Sequence, residues 1–370
     1  MALSLILLIF VCIRQLPVTV MYPTTDYILP AEWAPQSGIQ LTWPHAETDW
    51  RPYLDDITAT FVELVRIIAR HEKVLIVAQH LDEVRQLLQR EIEPRWFGRL
   101  VFCCCRNNDT WARDHAFITL KATTGTAEDQ LLDFRFNGWG EKFPAELDDA
   151  INKHIYEGGK LVGHRISYPD FVLEGGSIES DGEGTIFTTA GCLLAPHRNQ
   201  PLDQLAIEER LKQMLHARRI VWLHNGHLTG DDTDGHIDTL VRVAPSHTLL
   251  YIGCDDPDDE QYNDLQDMEK ELKSLQTTDE QTYRLLRLPM PDALYDGDDR
   301  LPATYANFVI LDGAVIVPTY HQPAKDEEAM NTIGKAFPDR EIIGLDAQTV
   351  IRQHGSLHCL TMQYPEEIIQ

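Results

Sequence analysis

Cys359, His236 and the carboxylates Asp114, Glu174 and Asp238 are residue types that together could carry out nucleophilic chemistry on a cation. A thiolate attacks electron-poor carbon, and an imidazole can carry a proton to the leaving group. Carboxylates neutralise a bound cation through charge-assisted hydrogen bonds. Their placement follows a rhythm. Asp114 precedes HAFITL, Glu174 precedes GGSIES, His236 and Asp238 open a run ending in TLVRVA, Asn307 opens FVIL, and Cys359 opens LTM. Intervals of 60, 62, 71 and 52 residues lead from Asp114 to Glu174, His236, Asn307 and Cys359. Repeated modules around a common centre would produce such a period.

Each position also has a plainer local reading. A lone cysteine near the end of a sequence is normally structural, and Gly355 in RQHGSLHC simply lets the backbone turn. NDTWARD sets Trp111 three residues before Asp114, a pattern that serves an ion-paired turn as well as a guanidinium clamp with an aromatic wall. Glu174 in VLEGGS either caps a strand or supports His236, and the two glycines after it permit close backbone approach. In HNGHLTGDDTDGHIDTL, a calcium loop in register with Asp232, Asp234 and Gly235 puts Gly230 at its first position and Val241 at its twelfth, which argues against it. A zinc site from His224, His227 and His236 lacks a partner motif.

The elements that must hold these residues alternate strand and helix. DITATFVELVRIIARH (55–70) has apolar residues at helical spacing and precedes the buried-strand pattern KVLIVAQ. LDEVRQLLQREI reads as another helix and RLVFCCC as another strand. Helix 205–217 precedes strand RIVWL, and helix 260–275 precedes strand YRLLRL. SDGEGT (180–185) separates SIE from TIFTT, and Asp312-Gly313 is a two-residue hairpin signal between FVIL and AVIVP. Neither a dinucleotide fingerprint nor a phosphate loop is present. One α/β domain of repeated strand-hairpin-helix units over 25–370 is therefore expected, behind a dispensable leader at 1–24.

Composition sets the outer bounds. With 32 Lys+Arg against 58 Asp+Glu the formal net charge is −26, which argues against nucleic acid and suits a cationic small molecule. Hydrophobic residues at 43% and charged residues at 24% describe an ordinary globular core. The seven cysteines include the adjacent Cys103, Cys104 and Cys105 and form no paired framework, so a reducing compartment is expected. The apolar run ALSLILLIFVCI is short for a membrane span and lacks a preceding basic segment. A cytoplasmic location is expected, with export through residues 1–20 as the alternative. No membrane partner is implied, and a homo-oligomer is compatible with the sequence.

PAEWAPQSGIQLTWPH, NDTWARD, DFRFNGWGEK, VLEGGSIESDGEGT, GDDTDGHIDTL, YANFVI and GSLHC together resemble the agmatine deiminase / bacterial-type peptidylarginine deiminase family of guanidino-group modifying enzymes. The matches run in order from about residue 29 onward. The resemblance implies an α/β propeller (pentein) of five pseudo-repeated ββαβ units around a central active site. It implies Cys359 as nucleophile, His236 as general acid/base, Asp114 and Asp238 as guanidinium clamps, and Glu174 as support. Trp111, Asn307 and Trp43 are expected to line the substrate site. Two stretches depart from the family pattern. Ala116-Phe117 follow His115 where Gly-Pro is common, and QHGSLHC replaces a glycine-richer approach to the cysteine.

The implied reaction hydrolyses agmatine to N-carbamoylputrescine and ammonia through a covalent cysteine thioether, without metal or organic cofactor. Peptidylarginine or free arginine is the alternative substrate, and Arg135 is the candidate partner for a free α-carboxylate. A metal-dependent amidohydrolase and a non-catalytic polyamine-binding protein are the remoter readings.

Overall fold

Five antiparallel strand pairs, four of them hairpins, set the architecture. In the computed structural model, which describes residues 26–125 and 127–370, each hairpin is followed by helix and then by a strand that returns parallel to the hairpin's second strand. The leader expected at 1–24 lies outside the described residues. Val309–Leu311 pairs antiparallel with Ala314–Thr319, helix Pro323–Ala336 follows, and Glu341–Asp346 returns parallel. The same ββαβ order joins Val241–Ala244, Thr248–Ile252, helix Tyr262–Ser274 and Arg284–Leu288. It recurs in Ile178–Ser180, Thr185–Thr189, helix Gln204–Met214 and Arg219–Leu223. Ile118–Ala122, Gln130–Arg135 and His164–Val172 form another blade around short helices that include Ile151–Glu157.

The remaining blade is closed differently. Its second strand is Gln36–Thr42 and its parallel strand is Lys73–Ala78, joined by helix Leu54–His71. Its first strand, Thr361–Pro365, comes from the far end of the sequence and pairs antiparallel with Gln36–Thr42. Leu100–Cys104 extends this sheet by one further parallel strand. The ring thus closes through backbone hydrogen bonds between distant segments.

Local chemistry explains the elements. Leu54–His71 buries Ile57, Phe61, Leu64, Val65 and Ile68 along one stripe. Asp55 and Asp56 in its first turn and Arg70 and His71 in its last complement the helix dipole. Val74, Leu75, Ile76 and Val77 are all fully buried, as expected of a parallel strand covered on both faces. The hairpin at 181–184 is held by Asp181, whose Oδ1 accepts from Glu183 N at 2.7 Å and Thr185 N at 2.9 Å. Gly313 supplies the positive φ of 87° that the two-residue turn after Asp312 needs. Among the described residues, no helix is long and apolar enough to cross a membrane.

Candidate active site

Each spaced polar residue sits just before the first strand of its blade. Asp114 lies in the short helix Ala112–His115, Glu174 and His236 cap single 3-10 turns, and Asn307 and Cys359 lead directly into their strands. The blades bring these ends together. Asp114, Glu174, His236, Asp238, Asn307 and Cys359 are all between 0% and 4% exposed.

Gly176 marks the centre. A Cβ there would stand 2.6 Å from His236 Nδ1, 2.9 Å from Asp114 Oδ1 and 3.1 Å from Asp238 Oδ2. Only a residue without a side chain lets three blades converge so closely. The Gly176 N–H instead donates to Asp114 Oδ1 at 3.0 Å, and Trp139 Nε1–H donates to Asp114 Oδ2 at 3.0 Å. His236 Nδ1 lies 3.6 Å from Asp114 Oδ1.

Cys359 is held by Asn307. Asn307 Oδ1 accepts from Cys359 N at 3.2 Å and lies 3.4 Å from Sγ, while also accepting from His358 N at 2.9 Å. Asp238 Oδ2 is 3.9 Å from the thiol and 2.7 Å from His358 Nδ1. Behind it, His358 Nε2 meets Glu32 Oε1 at 2.8 Å, and Glu32 is clamped by Arg113 at 2.9 Å and Arg242 at 2.6 Å. Glu174 Oε1 accepts from Arg198 Nε at 2.9 Å, and Arg198 also reaches Asp234 Oδ2 at 2.7 Å.

Burial and charge set the proton affinities. Burial, with Asp238 and Asp114 nearby, pushes the Cys359 thiol well above its ordinary range. Burial alone would neutralise His236, but Asp114, Cys192 and Glu174 hold its imidazolium well above the usual value. Burial raises Asp114 to about 6 against the opposing pull of His236. Burial would also raise Asp238, yet His358 hydrogen-bonds it and brings it below its ordinary value.

A cavity of about 290 Å³ opens onto Cys359. Asp49, Asp109, Asp114 and Asp232 line it together with Trp111, Trp139, Phe143 and His354, and among the described residues no Arg or Lys does. Burial pushes Asp109 up to about 6 and also raises Asp232. Trp111 is seated by Gly355, where a Cβ would come within 2.2 Å of its ring.

Trp43 does not line this cavity. It is 4% exposed, packs edge-on against Phe61 at 5.3 Å, and borders a separate cavity with His45 and Leu54. Its place in an apolar strand end puts it in the core, and Trp139 supplies the aromatic wall instead. Arg135 is exposed on its strand and lies outside the cavity lining. The three histidines considered for zinc do not meet: His224 and His227 are exposed, and His224 pairs with Glu271, whereas His236 is fully buried. Sequence reasoning missed Glu32, Trp139, Arg198, Arg242 and His358. Glu32, Trp139 and His358 lie inside the quoted PAEW, NGWGEK and SLHC stretches, where the motif match itself was the available signal.

A buried thiol, an imidazole and two carboxylates around a glycine at the centre of five ββαβ blades define a pentein, a guanidino-modifying α/β propeller. Sequence comparison agrees. The chain belongs to the Porphyromonas-type peptidyl-arginine deiminase family, whose profile it matches over residues 28–365. It is 32% identical to the agmatine deiminase of Pseudomonas aeruginosa (strain LESB58), over 93% of this chain and 97% of that one. A crystal structure from Porphyromonas gingivalis, provisionally described as an arginine deiminase, is 47% identical with a TM-score of 0.87, covering 93% of this chain and all of that one. The C. jejuni agmatine deiminase with substrate bound is 38% identical with a TM-score of 0.84, covering 92% and 97% of the two chains.

Proposed function

We propose that the protein is a hydrolase of guanidino C–N bonds that converts agmatine to N-carbamoylputrescine and ammonia. One observation carries the choice of substrate: among the described residues, four aspartates and no Arg or Lys line the cavity above Cys359. Agmatine has a guanidinium at one end and an ammonium at the other, so both ends favour an acidic cavity. The α-carboxylate of free arginine would need a basic partner, and Arg135 is outside the lining.

In this reading Asp114 and Asp238 hold the guanidinium, and its positive charge offsets the carboxylates that keep the Cys359 thiol protonated in the free site. The Cys359 thiol loses its proton to solvent as the cation binds, and the resulting thiolate adds to the guanidinium carbon. The tetrahedral adduct expels ammonia as the His236 imidazolium donates its proton. Neutral His236 then takes a proton from water, which attacks the amidino-thioether carbon and releases the thiolate and the ureido product. Asn307 orients the nucleophile, Glu174 backs His236, and Trp111 walls the site. The domain expected over 25–370 serves as one catalytic unit, the unpaired cysteines among the described residues suit a reducing cytoplasm, and the net charge of −26 weighs against a nucleic-acid partner.

The test is a ureido-product assay on agmatine, free arginine and an arginyl peptide with the purified protein. Agmatine is expected to give the highest kcat/KM. Comparable turnover of the peptide would overturn the substrate assignment, and no ammonia from any of the three would overturn the reaction.

A further inference from the structure

Beside His236, and outside the cavity lining, lies a second buried thiol with no part in the chemistry above. Cys192 is fully buried in the short helix Ala190–Leu193, its N–H capped by Thr189 Oγ1 at 3.2 Å. The ligand atoms of Glu174, Cys192 and His236 all lie within 4.8 Å of one another. Two of these three side chains offer under-satisfied atoms: among the described residues Glu174 Oε2 has no hydrogen-bond partner, and the ring nitrogens of His236 have no well-formed one, with the Cys192 thiol as the neighbour that interacts with the imidazole. Buried polar atoms are rarely left so, which makes them a second, independent pointer to something that binds there.

We propose that Cys192, His236 and Glu174 form an inhibitory site for a thiophilic divalent cation of the zinc and cadmium class. Sulfur, imidazole nitrogen and carboxylate oxygen are the ligand set such ions take, at bond lengths of about 2.0–2.3 Å. Those lengths bring ligand atoms within about 4 Å of each other, so small side-chain rotations close the present spacing. Arg198 fits the arrangement, because it bonds Glu174 Oε1 at 2.9 Å and leaves Oε2 free. Its other nitrogens are taken by Asp234 Oδ2 at 2.7 Å and the Thr233 carbonyl at 2.9 Å, so it fixes Glu174 as an outer partner fixes a ligating carboxylate. On binding, the Cys192 S–H bond breaks, its proton leaves to solvent, and the thiolate sulfur bonds to the ion. The ion also replaces the proton on one ring nitrogen of the His236 imidazolium, which leaves to solvent, so the ring can no longer cycle between imidazolium and imidazole to protonate departing ammonia. Deimination stops without any contact between metal and nucleophile.

This proposal rests on His236 being the proton carrier, and its test separates the two claims. Cadmium is titrated into Cys359→Ser protein, with thiolate-to-metal absorbance and calorimetry as readouts that need no turnover. One tight equivalent is expected, and Cys192→Ser or Cys192→Ala on that background should weaken it at least about tenfold. Glu174→Gln should weaken it without removing the absorbance. In the unmodified protein, cadmium or zinc should inhibit ammonia release reversibly, with chelator restoring it. If the tight equivalent survives loss of Cys192, or appears only when Cys359 is present, the site is overturned. Tight binding through Cys192 without inhibition would keep the site and overturn the role of His236.

Discussion

The side-chain carbonyl of Asn307 touches Cys359 twice, accepting its backbone N–H at 3.2 Å and lying 3.4 Å from its sulfur. One amide from the neighbouring blade therefore fixes both the backbone and the reactive atom of the nucleophile. Replacing it with Ala leaves the buried Cys359 N–H without an acceptor, at a cost of about 1–3 kcal/mol. Asn307→Ala should melt earlier and lose kcat together. Asn307→Asp adds a negative charge beside a thiol already raised by Asp238 and Asp114, so its activity profile should move to higher pH. An unmoved profile in the Asp variant would show that the side chain does not face the sulfur in solution.

Cys359→Ser should reduce ammonia release from agmatine on the order of 10³-fold or more, while agmatine binding measured by calorimetry remains. Near-normal turnover in this variant would sink the nucleophile assignment.

Gly176→Ala places a methyl group 2.6 Å from His236 Nδ1 and 2.9 Å from Asp114 Oδ1. A shift of about 1 Å at these groups costs on the order of 10²-fold in rate. Circular dichroism should remain that of the parent while kcat/KM collapses, because the clash is confined to the site. Retained activity would mean that the three blades do not converge there.

Asp114 must be ionised to hold a guanidinium, and burial raises it to about 6. As pH falls through that value the clamp takes up a proton, so kcat/KM should fall below about pH 6, well above the range of an ordinary aspartate. A profile flat down to pH 4.5 would remove Asp114 from the binding role.

Glu72 offers a stability test away from the site. Burial and the neighbouring Asp312 raise its carboxyl to about 8. A group whose pKa is higher folded than unfolded favours the fold below its unfolded pKa and loses that contribution as pH rises through its folded value. Stability should therefore decline between about pH 4.5 and about 8 on account of this residue. Glu72→Gln, neutral throughout, should flatten that decline by on the order of a few kcal/mol. Thermal melts of both proteins at pH 5 and pH 9 check it, and equal gaps at the two pH values would refute it.

Much of this was legible in the amino-acid order. RIVWL is the observed strand Arg219–Leu223, and the helix expected at 260–275 is Tyr262–Ser274. Burial periodicity is local, so it is written locally. The polar residues ahead of each strand were visible for the same reason, because every blade repeats one plan. Contacts between blades were not. Glu32 reaches His358 across 326 residues and Arg242 across 210, and no local pattern announces an ion pair at such separations. Trp139 escaped because its indole reaches Asp114 through a left-handed backbone turn, with φ of 57° at a non-glycine residue. Trp43 was misplaced because an aromatic at a strand end looks alike whether it faces the core or a ligand. Closure by Thr361–Pro365 was equally hidden.

That closure ties the fate of the chemistry to one seam. In four blades the hairpin strands are joined by a covalent turn; in the fifth, Thr361–Pro365 is held to Gln36–Thr42 by backbone hydrogen bonds. Cys359 stands two residues from that seam, so peeling the strand away withdraws the sulfur from Asn307 and Asp238 in the same motion. Partial opening and inactivation are then one event, and the labelling rate of Cys359 by a thiol reagent becomes a clock for how often the ring comes undone.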